Sequence, residues 1–332
     1  MVTVAVDGMG GDHAPDVVVH GAVAAARELD VDVVLVGPAA RLQSLVGSHT
    51  QRITVHDAPD VIEMHEHPAN AVRQKPDSSL VTGVRLVKEG RASAFVSAGN
   101  TGAVMTAGLF ELRRIQGVDR PALGAMIPTA TGKCLLIDVG ANVDCKPEHL
   151  VQFAHMGAIY LEQVFGVPNP RVGLLSIGEE ETKGNALVLA AHPLLRATRL
   201  NFIGNVEGRD IPGGGVDVAV CDGFTGNVVL KFAEGMASAI TGLIRSEIRS
   251  SWLTTAAAVG VAPAFKRVRR RLDYAEYGGV PLLGLNGTCI VAHGRSNATA
   301  IKNAIRVAAE ATRHDVVGRI AEGIGSAGAT AT

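Results

Sequence analysis

The chain has 332 residues, enough for one large α/β domain or two ordinary ones. Hydrophobic residues make up 47%, which supports a packed core and excludes a disordered chain. The 31 basic and 32 acidic residues leave a formal charge of -1, without the basic field that nucleic-acid binding needs. Cys134, Cys145, Cys221 and Cys289 include no Cys-x-x-Cys pair, which argues against a zinc knuckle. The first residues lack the charged and apolar regions of a signal peptide, so free thiols in a reducing cytoplasm are expected. No run approaches the roughly 18 apolar residues of a membrane span.

Short Val/Ile/Leu-rich runs ending in Gly, Asp or Ser predict buried strands. They lie at Thr3 to Val6, Val31 to Val36, Ala94 to Val96, Leu135 to Ile137, Val172 to Ser176 and Val216 to Cys221. Pro15 to Glu28 and His149 to Phe165 read as intervening helices, Pro15 suiting a first turn. Continuous apolar strands alternating with helices predict a parallel sheet covered on both faces. Ligands of such sheets bind beyond the carboxyl ends of the strands. Four Gly-rich polar loops follow these ends, after Val6, Val96, Ile137 and Cys221, and are expected to converge on one edge as an oxyanion site. No repeat or linker divides the chain, so residues 1–332 read as one domain with an inserted helical hairpin at about 226–271. Leu230, Ala233, Ala237, Ile240, Ile244 and Ile248 line one face of its first helix. The apolar stretch from Ser251 to Phe265 follows, then Lys266, Arg267, Arg269, Arg270 and Arg271. An apolar tip with a basic collar fits a helix dipping into an anionic membrane surface. A helix–helix turn packed in a dimer fits equally.

The loops carry the chemistry. Asp7-Gly8-Met9-Gly10-Gly11-Asp12-His13 sits where a dinucleotide loop would, but its glycine spacing is wrong and Asp12 would repel a pyrophosphate. A tight turn with a helix cap is the plainer reading. Ser97-Ala98-Gly99-Asn100-Thr101-Gly102 offers backbone N–H groups at a helix start, a nest for phosphate, or else ordinary capping by Asn100 or Thr101. Lys183, after the acidic run Glu179-Glu180-Glu181, is either a solvated surface charge or a phosphate and oxyanion partner. Asp222-Gly223-Phe224-Thr225-Gly226-Asn227 offers donors from Thr225 and Asn227, or a helix cap with Asp222 as turn former. His56, Glu63, His65, Glu66 and His67 read as a surface loop rather than a metal site, since Pro68 breaks the segment. Thr131-Gly132-Lys133 is not a P-loop, and no Gly-x-Ser-x-Gly elbow occurs.

Taken together these segments resemble the bacterial phosphate acyltransferase family, the fatty acyl–acyl carrier protein:phosphate transacylases. The likeness runs in order along nearly the whole chain. It includes Asp7 to Pro15, Glu66/Pro68/Arg73/Lys75 with Ser78-Ser79, Ser97 to Ala103, Asp138 to Pro147, Gly178 to Asn185 and Gly204 to Asp210. It continues through Asp222 to Asn227, Tyr277-Gly278-Gly279 with Pro281 to Gly284, and His293-Gly294-Arg295-Ser296. One departure is Gly8, where the family pattern has alanine.

The resemblance implies a Rossmann-like three-layer α/β/α sandwich, akin to isocitrate and isopropylmalate dehydrogenases and phosphotransacetylases, with a protruding helical hairpin. It implies a homodimer packed through its long helices, without nucleotide, cofactor or obligatory metal. It also implies acyl carrier protein and inorganic phosphate as reactants and a downstream membrane glycerol-3-phosphate acyltransferase. Peripheral attachment to the inner face of the cell membrane would run through Leu253, Ala257, Val259, Val261 and Phe265. Lys183 and Asn227 are the main catalytic candidates, with His13 a weaker acid–base candidate because a thiolate leaving group barely needs a proton. Substrate and phosphate contacts fall to Gly10, Gly11, Asp12, Ser97, Gly99, Asn100, Thr101, Gly102, Asp138, Asn142, Asn205, Asp222, Thr225 and Gly226. Three rivals are a nicotinamide-dependent dehydrogenase, a coenzyme A-using phosphotransacetylase and a non-catalytic membrane scaffold. The first lacks a legible adenine loop, the hairpin and its collar count against the second, and the third would need no polar loops at strand ends.

Overall fold

The computed structural model describes residues 1–49, 51–272 and 277–329. The strands are β1 (Val2–Asp7), β2 (Val31–Gly37), β3 (Ile53–Asp57), β4 (Ala94–Ser97), β5 (Ala122–Pro128), β6 (Lys133–Ile137), β7 (Val172–Leu175), β8 (Phe202–Val206), β9 (Val218–Val220), β10 (Val280–Leu283) and β11 (Thr288–Val291). The helices are α1 (Asp16–Glu28), α2 (Ala39–Val46), α3 (Pro68–Gln74), α4 (Ser79–Lys88), α5 (Thr101–Glu111), α6 (Pro147–Phe165), α7 (Ala186–Arg196), α8 (Asp210–Gly213), α9 (Gly223–Arg249), α10 (Trp252–Leu272), α11 (Ala298–Arg313) and α12 (Val316–Ala329).

All eleven strands form one sheet, ordered β3-β2-β1-β4-β11-β10-β5-β6-β9-β7-β8. Strands β1 to β4 and β11 are mutually parallel. The pairs β11–β10, β10–β5 and β5–β6 are antiparallel, and β6, β9, β7 and β8 then run parallel again. Three reversals turn the second half of the sheet against the first. The expected all-parallel sheet is therefore a mixed one. Its Gly-rich loops leave opposite edges, those after β1 and β4 from one and those after β6 and β9 from the other.

Strand residues alternate between two apolar layers, Val4 and Val6 facing one and Ala5 the other. The first layer takes α1, α2, α6, α7, α11 and α12, through residues such as Val19, Leu42, Phe153, Leu195, Ile305 and Ile320. The second takes α3, α4, α5 and α8, through Val72, Val84, Val104 and Ile211, with Leu230 of α9 packed on it. Burying a side chain such as Phe153 or Leu42 contributes about 2 kcal/mol, which holds helices on both faces.

Polar residues at strand ends start the helices. Asn100, Asn185, Asp222 and Asn297 each accept a backbone N–H three residues on, capping α5, α7, α9 and α11. The hairpin is α9 and α10, joined at Ser250 and Ser251. Hydroxyls of Thr254 and Thr255 donate to the Ile248 carbonyl at 2.8 and 3.0 Å and close the turn. By length and composition α9 suffices to cross a membrane, which a count of unbroken apolar runs overlooks because Lys231 and Glu234 interrupt it.

Candidate active site

Below the first loop lies Asp7, a buried carboxylate. Hydroxyls of Ser79 and Ser97 donate to it at 2.6 and 2.7 Å, and the Met9 N–H donates at 3.2 Å. Burial pushes its carboxyl above the ordinary range, against the pull of these donors. Gly10 lies so close that a Cβ would stand 2.6 Å from the Asp7 Oδ2 and 2.7 Å from the Gly99 nitrogen. The β4 and β11 loops join this network. The Ala292 N–H donates to the Ser97 carbonyl, and the Asp12 N–H to the Gly294 carbonyl, both at 2.8 Å. Asn100 caps α5 and donates from Nδ2 to the carbonyls of Met64 and Glu66 at 3.1 and 3.0 Å. Ser97, Gly99 and Asn100 thus shape the loop with their own hydrogen bonds, and Gly102 packs on Pro68. Gly11 adopts a φ of 106°, and Asp12 and His13 that follow it are exposed.

Across the sheet, Asp138 is fully buried and accepts five hydrogen bonds. The N–H groups of Leu123, Gly140 and Ala141 donate to its Oδ1 at 3.0–3.1 Å. The N–H and Nδ2 of Asn142 donate to its Oδ2 at 2.7 and 2.9 Å. Burial again raises its pKa, while the donors oppose the shift. The Gly223 N–H donates to the Asn142 carbonyl at 2.7 Å, locking this loop to the start of α9. Asp222 caps that start by accepting from the Thr225 N–H and hydroxyl at 2.9 and 2.7 Å. Gly226 meets the Asp138 carbonyl so closely that a Cβ would overlap its oxygen. The next residue, Asn227, is thereby placed against Gly140.

Lys183 lies at the same edge, in the loop after β7. Its carbonyl accepts from the Ser176 hydroxyl at 3.2 Å, while its side chain is exposed. Asn205, buried in the β8 end, donates to the Glu180 carbonyl at 2.9 Å and so fixes the same loop.

A cleft of about 330 Å³ connects the two sets of loops across the second face of the sheet. Leu123, Ala125, Val139, Leu230 and Val291 give it an apolar wall. Thr101, His293 and Ser296 reach it from one set of loops, and Gly140 and Asn227 from the other. Of the residues expected to act on substrate, Thr101 and Asn227 line this cleft. Lys183, Asn205, Asp12 and His13 are not among its lining residues. Asp138, Asn142, Asp222, Thr225 and Gly226 stand behind Asn227 as its support. His293 and Ser296 were missed as site residues; the available signal was polar residues following an apolar strand and preceding the cap Asn297.

Burial pushes the thiols of Cys134 and Cys289 to about 12 and that of Cys145 to about 11, and raises Cys221 well above the usual range. None is a thiolate nucleophile at neutral pH. The arrangement suits direct transfer between two bound reactants, with helix starts and amide donors placed for developing negative charge.

On the hairpin, Trp252 is 77% exposed just past the turn, and Val261 and Phe265 are exposed further along. Leu253, Ala257 and Val259 lie on α10, but their side chains fall outside the described residues. Lys266 lies fifteen residues beyond Ser251, about 22 Å along the helix, so the basic run marks the base of the hairpin instead of a collar at its tip.

The family model described as "Fatty acid synthesis protein" matches residues 2–319. The phosphate acyltransferase of Heliobacterium modesticaldum is 54% identical over 325 residues, 97% of each chain. That of Pelotomaculum thermopropionicum is 52% identical over 325 residues, 97% of this chain and 95% of the relative. Among solved structures, EutD phosphotransacetylase from Staphylococcus aureus superposes with a TM-score of 0.65 at 17% identity, over 94% of both chains. The 4-hydroxythreonine-4-phosphate dehydrogenase of Klebsiella pneumoniae gives 0.56 at 15%, over 94% of this chain and 98% of that one. At such identities the structural likeness shows the fold alone, a large central sheet flanked by helices. The sequence match extends through the loops that build the cleft, and the chain belongs to the phosphate acyltransferase family of fatty acid synthesis proteins and is an acyltransferase.

Proposed function

We propose that the chain transfers a fatty acyl group from the thioester of acyl carrier protein to inorganic phosphate, giving acyl-phosphate for phospholipid synthesis and free carrier protein. The observation that carries this reading is the cleft itself, which joins an apolar wall suited to an acyl chain to polar groups at its ends. Phosphate is a partial dianion at neutral pH and needs positioning more than deprotonation. The start of α5 at Thr101 offers unpaired N–H groups and a positive helix end to it. Asn227 donates to the thioester oxygen as that oxygen becomes negative. Lys183 neutralises charge on phosphate or the tetrahedral intermediate from its loop. No cofactor or metal enters this scheme.

The reading includes assembly. Phe224, Phe232 and Leu243 are 62%, 69% and 65% exposed, and with Val228, Met236 and Ile240 they leave an apolar stripe along α9. A second copy packing on this stripe makes the homodimer. The hairpin, with Trp252 near its turn, touches the inner face of the cell membrane and brings product to a glycerol-3-phosphate acyltransferase.

The test uses palmitoyl–acyl carrier protein and hydroxylamine trapping of acyl-phosphate. Phosphate-dependent product is expected, with Asn227→Ala and Lys183→Ala each at least roughly a hundredfold slower. Absence of product from folded protein with active carrier substrate would remove the reading. Flotation with anionic vesicles tests the membrane part, which fails if the wild type does not float or if Trp252→Ser floats like it.

A further inference from the structure

We propose that Ser296 is a phosphate-binding residue of this cleft, its hydroxyl donating to an oxygen of the inorganic phosphate that accepts the acyl group; the inference rests on the acyl-transfer reading above. Ser296 is only 4% exposed and lines the cleft. Its hydroxyl is buried and has no hydrogen-bond partner. A buried donor left unmade is costly, so the site lacks one acceptor. The backbone of Ser296 is held in place, its N–H donating to the His293 carbonyl at 2.8 Å. The hydroxyl itself can turn about χ1 among staggered positions to meet an incoming oxygen.

The surroundings select an anion. Ser296 immediately precedes Asn297, the cap of α11, and Ala300 in the first turn of that 16-residue helix lines the cleft beside it. Thr101 opens the 11-residue α5 into the same cleft. Two helix starts therefore turn positive helix ends toward the space that Ser296 faces, with Asn100 and Asn297 capping the N–H groups of Ala103 and Ala300. The Glu234 carboxylate also lines the cleft, but it is paired with Lys231, the Nζ standing 3.0 Å from Oε2. The apolar wall of Leu123, Ala125 and Val139 offers the hydroxyl no side-chain acceptor. A tetrahedral oxyanion supplies the missing acceptor, and both positive helix ends favour its charge.

The experiment compares wild-type protein and Ser296→Ala in two assays. In steady-state acyl transfer, the KM for phosphate is expected to rise roughly ten- to a hundredfold, the loss of one hydrogen bond to a charged acceptor. The KM for acyl–acyl carrier protein should stay within about twofold, a split that a merely structural role would not produce. In thermal melting without acyl donor, inorganic phosphate should raise the Tm of the wild type and raise that of Ser296→Ala far less. Ligand-free Ser296→Ala should melt at or above the wild type, because the change removes a buried hydroxyl that has no protein partner. Equal phosphate responses, both KM values rising in step, or a ligand-free variant that melts well below the wild type would each overturn the assignment. A wild type that makes no acyl-phosphate, yet shows the Ser296-dependent phosphate shift, would remove the acyl-transfer reading and keep the phosphate subsite.

Discussion

Replacing Gly226 by alanine tests whether Asn227 is held in position by close backbone contact. A Cβ at residue 226 would stand 2.9 Å from the Asp138 carbonyl carbon and 2.9 Å from the Cys221 Sγ, and would overlap the Asp138 carbonyl oxygen. Carbon atoms settle at about 3.5 Å or more, so the start of α9 must retreat by at least about 0.6 Å. Overpacking of this kind costs about 1–3 kcal/mol, and the higher helix propensity of alanine offsets up to about 1 kcal/mol of it. The displacement carries Asn227 with it, and misplacement of about 1 Å costs about a hundredfold in rate. Gly235, nine residues further along α9, is the internal control, since a Cβ there meets nothing within 4 Å. Gly235→Ala should gain up to about 1 kcal/mol and keep its rate. Urea denaturation gives the stabilities, and hydroxylamine trapping of acyl-phosphate gives the rates. A Gly226→Ala protein as stable and as active as Gly235→Ala would refute the argument that this contact sets the site.

Two carboxylate predictions carry opposite signs. Asp7 has a folded-state pKa above its ordinary value of 3.8, so its contribution is fully present below about that pH and is lost as pH rises through the folded value. Urea curves at several pH values should show wild type losing stability relative to Asp7→Asn over that rise; parallel curves would contradict the burial argument. Asp217 is held below 3.8 by Arg171, which donates from Nε and Nη2 to its two oxygens at 2.9 Å. Its contribution is present above that value and is lost as pH falls through the folded one. Because the Arg171 side chain is 43% exposed, Arg171→Met should cost only about 1 kcal/mol near neutral pH and shrink the acid-side dependence, the backbone N–H of residue 171 still donating to Asp217, as read by thermal melting across pH.

The strands that could be read from sequence, such as Val31 to Val36 and Leu135 to Ile137, are apolar runs, interrupted in the first by Asp32, closed by Gly or Asp. Those missed are the edge strands β3 and β8, and β5, β10 and β11, which reverse the sheet at its centre. Residues 122–128 read Ala-Leu-Gly-Ala-Met-Ile-Pro, and residues 280–283 read Val-Pro-Leu-Leu, both mixing apolar residues with Gly or Pro that also mark turns. The β5–β6 and β10–β11 reversals are hairpins across residues 129–132 and 284–287, but the β10–β5 pairing joins residues 282–283 to 122–123, which no local pattern encodes. That is why loops rightly chosen as polar strand ends were wrongly expected on one edge. Within the loops, the residue types were legible but not their duties. Asn100 and Asp222 look alike as substrate contacts or caps in sequence, and only the folded geometry shows both engaged as caps. Ser296 stands in the family-like segment from His293, but its unmet hydroxyl is a property of burial that the sequence does not display.

The position of β10 and β11 near the centre of the sheet governs the order in which the molecule can be built. These strands come from residues 280–291, yet they stand between β4 and β5, whose residues lie within 94–128. A ribosome releases β1 to β5 long before it releases the pair that fits between them. Until then β4 and β5 keep bare edges, the Ser97 carbonyl lacks the N–H of Ala292, and the Asp12 N–H lacks the carbonyl of Gly294. The binding loops therefore close last during synthesis, and the nascent chain spends that interval with sticky strand edges that invite chaperones and mispairing. A chain stopped before residue 280 would carry Thr101, Gly140 and Asn227 but lack His293, Ser296 and the strands that close the cleft around them.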